Sequence, residues 1–259
     1  MRQRRYVTTL VVAVLLAGTA HAYADPDPDP TGEFEWRTDE NLVSGKPDFG
    51  NENSPLRPGA DLGPSGFCSF NYVFYDPTTD GDPPVYIGTA GHCTERAGQR
   101  VTLGPSQEIG TVVYDSDVAN SDVDFSLVKV DRAMVSHTNP KVLGWGGPRG
   151  IVGASGLNQL DQVDVHGNGM VLGQNEDTRS RWGLLIDWTK DTYTANIPAV
   201  NGDSGAPLIH DRTRKALGII SHYGTTGIPP TTDAGPTMAW IFREISENGF
   251  NDVVLATAQ

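Results

Sequence analysis

Apolar residues recur along most of the chain in short runs separated by glycine, proline, asparagine and aspartate. Phe67 to Phe74 is rich in aromatics. Val85 to Ala90, Arg100 to Leu103, Glu108 to Tyr114 and Asp124 to Val130 follow at near-regular spacing. Each is of strand length and is bounded by turn residues, the pattern of short β-strands. Phe125, Leu127 and Val128 are expected to face inward. Regular structure is expected to begin near Gly66, and no helical period emerges between residues 66 and 135. The second half repeats this character in Lys141 to Trp145, Gln162 to Val165, Leu184 to Trp188, Leu208 to His210 and Ala216 to Ile220. Near the end, Thr237 to Ser246 reads as a strand running into a helix, with Ile241 and Ile245 four apart and Gly249 as its stop. Many short strands with no alternation of strand and helix predict an all-β fold of antiparallel barrels or a sandwich.

The first 65 residues break this pattern. Arg2, Arg4 and Arg5 precede an apolar run from Val7 to Ala17, and Ala20-His21-Ala22 follows as a small-x-small site. This is the form of an export signal with cleavage after Ala22, or alternatively after Ala24, and the apolar run is short for a membrane span. Asp25-Pro26-Asp27-Pro28-Asp29-Pro30 excludes helix and sheet. Residues 23–65 read as a polar, Pro/Gly-rich leader, a pro-segment or an arm that wraps the surface. Phe34, Trp36, Leu42 and Phe49 are apolar enough to dock.

Composition narrows the function classes. The 259 residues suffice for one large domain or two small ones, and the net charge is −13. Without residues 1–22 there are 16 basic and 32 acidic side chains, a net −16, which disfavours nucleic acid and anionic membrane as partners. Two cysteines, Cys68 and Cys93, are expected to pair in an exported protein, the alternative being two free thiols. Their spacing and the scattered histidines form no metal-ligand set.

Chemistry concentrates in Asn201-Gly202-Asp203-Ser204-Gly205-Ala206-Pro207-Leu208. A serine between glycines can sit on a tight turn with its hydroxyl outward and N–H groups free for an anion. A plain polar turn is the other reading. Nucleophilic use of Ser204 needs a base, an orienting acid and oxyanion donors. Of six histidines, His92 is the leading base because it ends a strand and precedes a cysteine that can pin it; His222 is the second candidate. His21 leaves with the signal, and His137, His166 and His210 are expected on the surface. Asp124 opens an apolar run, which a solvated charge rarely does, whereas Asp122 reads as its exposed neighbour.

Three segments occur in the order His, Asp, Ser: Thr89-Ala90-Gly91-His92-Cys93, Asp124-Phe125-Ser126-Leu127-Val128 and Gly202-Asp203-Ser204-Gly205-Ala206-Pro207-Leu208, with the three polar side chains 32 and 80 positions apart. Together they resemble the signature segments of the chymotrypsin-like serine peptidases, particularly the secreted bacterial ones. Over residues 66–245 the resemblance implies two six-stranded antiparallel β-barrels with the site in the cleft between them and a short C-terminal helix. The first barrel would span about 66–135 and the second about 136–245, within a domain reaching residue 259. It implies a secreted, monomeric endopeptidase without cofactor or metal, acting on peptide or protein substrates. His92, Asp124 and Ser204 would form the triad, Gly202 and Ser204 the oxyanion hole, Ser221, His222 and Tyr223 the substrate strand, and Cys68–Cys93 a disulfide.

The chain departs from that pattern in three places. No activation site that would free a partner for Asp203 is visible, so an internal arginine, Arg149, is the expected partner. Pro198 stands where trypsin-type relatives carry an acid, so cleavage after Lys or Arg is not expected. The cysteines that brace the second barrel are missing. An α/β-hydrolase is excluded by the order of the three residues and by the short stretch after Ser204. A catalytically silent binding protein on the same scaffold and a secreted esterase using the same triad are the alternatives.

Overall fold

A computed structural model of the chain describes residues 37–39, 42, 45–63, 68–79, 81–119, 121–170, 179–223 and 232–258, with backbone only at Val118, His222, Tyr223 and Thr232. The export signal and residues 23–36, including Phe34 and Trp36, lie outside them. The first strands are β1 (Asp61–Gly63), β2 (Cys68–Ser69), β3 (Val73–Tyr75), β4 (Val85–Thr89), β5 (Arg100–Leu103), β6 (Gln107–Asp115) and β7 (Ser126–Val130). Next come β8 (Gln162–His166), β9 (Ser180–Trp188), β10 (Thr192–Asn196), β11 (Pro207–His210), β12 (Lys215–Ile219), β13 (His222–Tyr223) and β14 (Thr232–Pro236). A last strand, β15 (Val254–Leu255), follows α1 (Met238–Glu247), the one helix longer than four residues among the described residues.

These strands form two antiparallel sheets. One has eight strands in the order β15-β3-β4-β7-β6-β5-β1-β2, and the other seven in the order β12-β11-β8-β9-β10-β14-β13. The architecture is therefore all-β, a half-barrel beside a nearly closed barrel, as the strand pattern implied. Neither sheet has the six strands expected: the short strands β1, β2 and β15 join five others in the first, and the second has seven.

Each half has its own core, and a third cluster welds them together. Val73, Ile87, Val101, Ile109, Val112 and Val128 fill the first half, and Val163, Val165, Leu185, Ile197, Leu208 and Leu217 the second. Between them pack Tyr72, Phe74, Phe125, Leu127, Ile209 and Ile219 with Met238, Ile241, Phe242 and Ile245 of α1. Phe125, Leu127 and Val128 are all fully buried, as the pattern predicted. Phe74 meets Phe125 and Phe242 edge-on at centroid distances of 6.2 and 5.7 Å. The buried Tyr72 hydroxyl donates to Leu208 O (2.5 Å), a polar tie across the same junction. The helix begins where Thr237 Oγ1 accepts from Trp240 N (3.2 Å), and its buried residues recur at the three- and four-residue spacing of one face.

Several local expectations are corrected. Ordered structure starts before Gly66: β1 pairs with β2 and β5, and Leu56, Ala60 and Leu62 are buried in the first core. The arm before it is anchored too. Asp39 Oδ1 accepts from Thr257 N (2.9 Å), Gly50 N donates to Thr138 O (2.8 Å), and Leu42 and Phe49 pack on the core. Lys141 to Trp145 is a turn between the halves rather than a strand, because glycines at 144, 146 and 147 adopt positive φ and coil the chain. His166 and His210 are buried, not surface residues, whereas His137 is exposed. His210 is held by Thr213 Oγ1 (2.8 Å) and Asp161 Oδ2 (3.1 Å), and His166 by Ser180 Oγ (2.9 Å). Burial pushes the His166 imidazole down to about 3, helped by Arg179, Arg57 and Arg181, so the ring is neutral.

Candidate active site

His92 sits in a single 3-10 turn, Gly91–Cys93, immediately after β4. Cys93 is bonded to Cys68 of β2, so the turn is tied to a second strand. That disulfide closes 25 residues of chain and stabilises the fold by about 3 kcal/mol on the loop-entropy account. A ring nitrogen of His92 lies within 4.8 Å of both sulfurs, but sulfurs spent in a disulfide are not metal ligands.

Asp124 precedes β7 rather than lying on it, with a positive φ of 49° that turns its carboxylate back toward His92. The imidazole Nδ1 is 3.1 and 3.0 Å from the two carboxylate oxygens, and His92 N donates to Oδ1 at 3.0 Å. The Ser221 hydroxyl donates to Oδ2 from the second half. Burial alone would raise the Asp124 carboxyl, but the bonds from His92 and Ser221 outweigh it and hold the group below its usual value. The bond to Asp124 raises the His92 imidazole against the opposing effect of burial. Asp124 is 23% exposed and His92 45%, so the acid lies behind and the ring faces outward. His92 Nε2 has no hydrogen-bond partner among the described residues.

Ser204 lies on the loop before β11, on the other side of the cleft. Its carbonyl accepts from Ser69 N (2.7 Å) and lies 3.8 Å from Cys93 Sγ, which places the residue beside the His92 turn. Ser69 also donates from Oγ to Gly202 O (2.8 Å) and accepts from Asn168 N (2.8 Å), clamping the loop to the first half. Gly205 must be glycine twice over: its φ is +88°, and a Cβ there would lie 2.2 Å from Ser69 O. The Ser204 hydroxyl makes no hydrogen bond to His92 in this structure, so the acid and base are joined and the serine stands beside them. The backbone N–H groups of Gly202 and Ser204 donate to nothing among the described residues.

Asp203 is fully buried, and its partner is Arg181 of β9, not Arg149, which is exposed. The guanidinium grips the carboxylate with Nη1 and Nη2 at 2.6 Å each, and Nη1 also donates to Pro198 O at 2.8 Å. Gly169 N (2.9 Å) and Val200 N (2.8 Å) complete four donors around the carboxylate. Sequence reasoning missed Arg181 because nothing local ties β9 to the serine loop. It also missed Ser69, whose only sequence signal is that it follows Cys68.

The structure resembles Thermobifida fusca protease A with a TM-score of 0.54 at 20% identity, covering 78% of this chain and 98% of that one. A Nocardiopsis protease gives 0.52 at 19% identity over 78% and 98% of the two chains. Cellulomonas bogoriensis chymotrypsin gives 0.50 at 18% identity over 74% and 96%. The chain has the chymotrypsin-like serine protease fold. No protein-family model matches the sequence, and no curated protein matches it. At this identity the likeness establishes the chymotrypsin-like fold alone. What the site does rests on its own geometry.

Proposed function

We propose that the chain is a secreted serine endopeptidase that works through an acyl-enzyme on Ser204. The observation that carries this reading is the Asp124–His92 pair, half-buried at the acid and open at the base, with Ser204 pinned beside it. Ser204 Oγ attacks the scissile carbonyl while His92 Nε2 takes its proton. Asp124 keeps the proton on Nδ1 and stabilises the imidazolium, and Ser221 holds Asp124. The N–H groups of Gly202 and Ser204, without acceptors among the described residues, bind the oxyanion; one such donor contributes about 3 kcal/mol to the transition state. His92 then protonates the leaving amine, and water repeats the sequence to release the acid. The Ser204–His92 hydrogen bond closes when substrate excludes water, since such bonds are often long without it.

The substrate backbone has a place to pair. β13 is the last strand of the second sheet, with one edge bonded to β14 and the other without a strand among the described residues. An extended peptide adds there by β-augmentation beside Ser221, His222 and Tyr223. The test is reaction with a fluorophosphonate, followed by digestion of a peptide library read by mass spectrometry. Labelling that disappears in Ser204→Ala, together with internal peptide cleavage, is the expected result. An unlabelled wild-type protein would sink the catalytic reading, and labelling with ester but no peptide hydrolysis would make it an esterase.

A further inference from the structure

Asp115, the last residue of β6, and Ser116 after it are buried, and together they touch the two segments that carry His92 and Asp124. Asp115 Oδ2 accepts from Thr94 Oγ1 at 2.7 Å, and Oδ1 accepts from Asp117 N at 3.0 Å. Thr94 Oγ1 is also 2.7 Å from Ser126 Oγ and 3.2 Å from Gly91 O. A threonine hydroxyl has one proton, and the carboxylate is the strongest acceptor within its reach. The proton therefore goes to Asp115, and Ser126 donates to Thr94. The result is a directed relay, Ser126 to Thr94 to Asp115, in which each bond polarises the next. Thr94 stands two residues after His92, and Ser126, opposite Asp115 in register, stands two residues after Asp124. One buried acid thus gathers both segments at the same distance along the chain from the side chain each presents.

Ser116 secures the same junction. Its N–H donates to Phe125 O at 3.0 Å, and its Oγ accepts from Phe125 N at 2.9 Å. It also lies against the His92 turn, so closely that no Cβ would fit on Gly91. Asp124 holds a left-handed φ of 49°, a conformation that persists only where its neighbours over-determine it. The disulfide ties the His92 turn to β2 at Cys93, and one tether does not fix an orientation. The bond from Thr94 to Asp115 supplies a second. Resting on the peptidase reading above, we propose that Asp115 is a positioning residue for the Asp124–His92 pair. Acting through Thr94 and Ser126, it holds the His92 turn against the start of β7 at the spacing where Nδ1 meets the Asp124 carboxylate. It touches neither substrate nor the reacting atoms. A misplacement of about 1 Å in such a pair costs on the order of 10²-fold in rate.

Thr94→Val breaks the relay in its middle and keeps the branched shape of the side chain, whereas Thr94→Ser keeps the hydroxyl. Three quantities are read on each folded protein: kcat and KM with a peptide substrate, the pH midpoint of kcat/KM, and the downfield NMR resonance of the His92 Nδ1 proton. Thr94→Val is expected to lower kcat about ten- to a hundredfold with KM unchanged. It should also move the midpoint down, because the bond to Asp124 raises the His92 imidazole more than the charges of Asp124 and Asp117 do, and to shift the resonance upfield. Thr94→Ser should restore all three, and Asp115→Asn, a weaker acceptor for Thr94, should fall between. A Thr94→Val protein with wild-type kcat, midpoint and resonance overturns the proposal, whatever its loss of stability, and so does a loss that Thr94→Ser does not rescue. If Thr94→Val does not fold, Ser126→Ala, which deletes the donor at the far end, is read in the same way. The resonance needs no substrate. A wild type that fluorophosphonate does not label removes the peptidase reading, and the positioning is then decided by the resonance alone: shifted in Thr94→Val it stands, unshifted it falls.

Discussion

The Arg181–Asp203 pair gives the sharpest test of how the serine loop is held. Arg181→Met removes two 2.6 Å charge-assisted bonds from a fully buried carboxylate and one bond to Pro198 O, while Gly169 N and Val200 N remain. Removing one member of a buried ion pair costs about 3–5 kcal/mol, mostly because the other charge is left uncompensated. Two surviving donors place this site near the lower end, about 3 kcal/mol, or on the order of 10 °C in Tm for a domain of this size. Activity should fall with stability, since Asp203 and Pro198 bracket the turn that presents Gly202 and Ser204. Arg181→Lys keeps the charge without the fork and should lie between. The double variant Arg181→Met/Asp203→Asn removes the buried charge along with its partner and should be more stable than the sum of the single losses predicts. Urea unfolding and the fluorophosphonate labelling rate measure both effects. An Arg181→Met protein with wild-type midpoint and labelling, or single losses that simply add, would refute the reasoning.

Three further outcomes are expected. His92 must be neutral to accept a proton, and its pKa is raised, so kcat/KM should rise with pH through a midpoint above the ordinary histidine value; Asp124→Asn should lower the rate by about 10⁴-fold with little change in fluorescence-monitored stability. Burial holds His166 near 3 in the fold, so the unfolded chain binds the extra proton between its ordinary pKa and about 3. Stability is therefore lost as pH falls through that window, by about 5 kcal/mol, and His166→Asn should flatten this part of the pH–stability curve in denaturant titrations. A protein starting at Ser65 loses β1 and the buried Leu56, Ala60 and Leu62, each leucine alone being worth about 2–5 kcal/mol, so it should fail to give a cooperative thermal transition. One starting just before Arg37 should keep it.

What could be read from the sequence and what could not follow one physical line. Strands with an apolar pattern of their own, such as β4, β7, β11 and β12, and the helix with its Thr237 cap and apolar face, were legible because local periodicity reports burial. The order of His92, Asp124 and Ser204 was legible because each needs a fixed local context: a strand end beside a cysteine, an acid at the mouth of a buried run, a serine between glycines. The strands missed, β1, β10 and β14, carry Asp61, Thr192 and Asp233 where an apolar run was sought. They are strands because neighbours on both sides accept their backbone bonds, a tertiary cause that leaves no local period. The same holds for the polar contacts. Arg149 and Arg181 look alike in sequence, and only the closing of the second sheet brings β9 under the serine loop and leaves Arg149 at the surface.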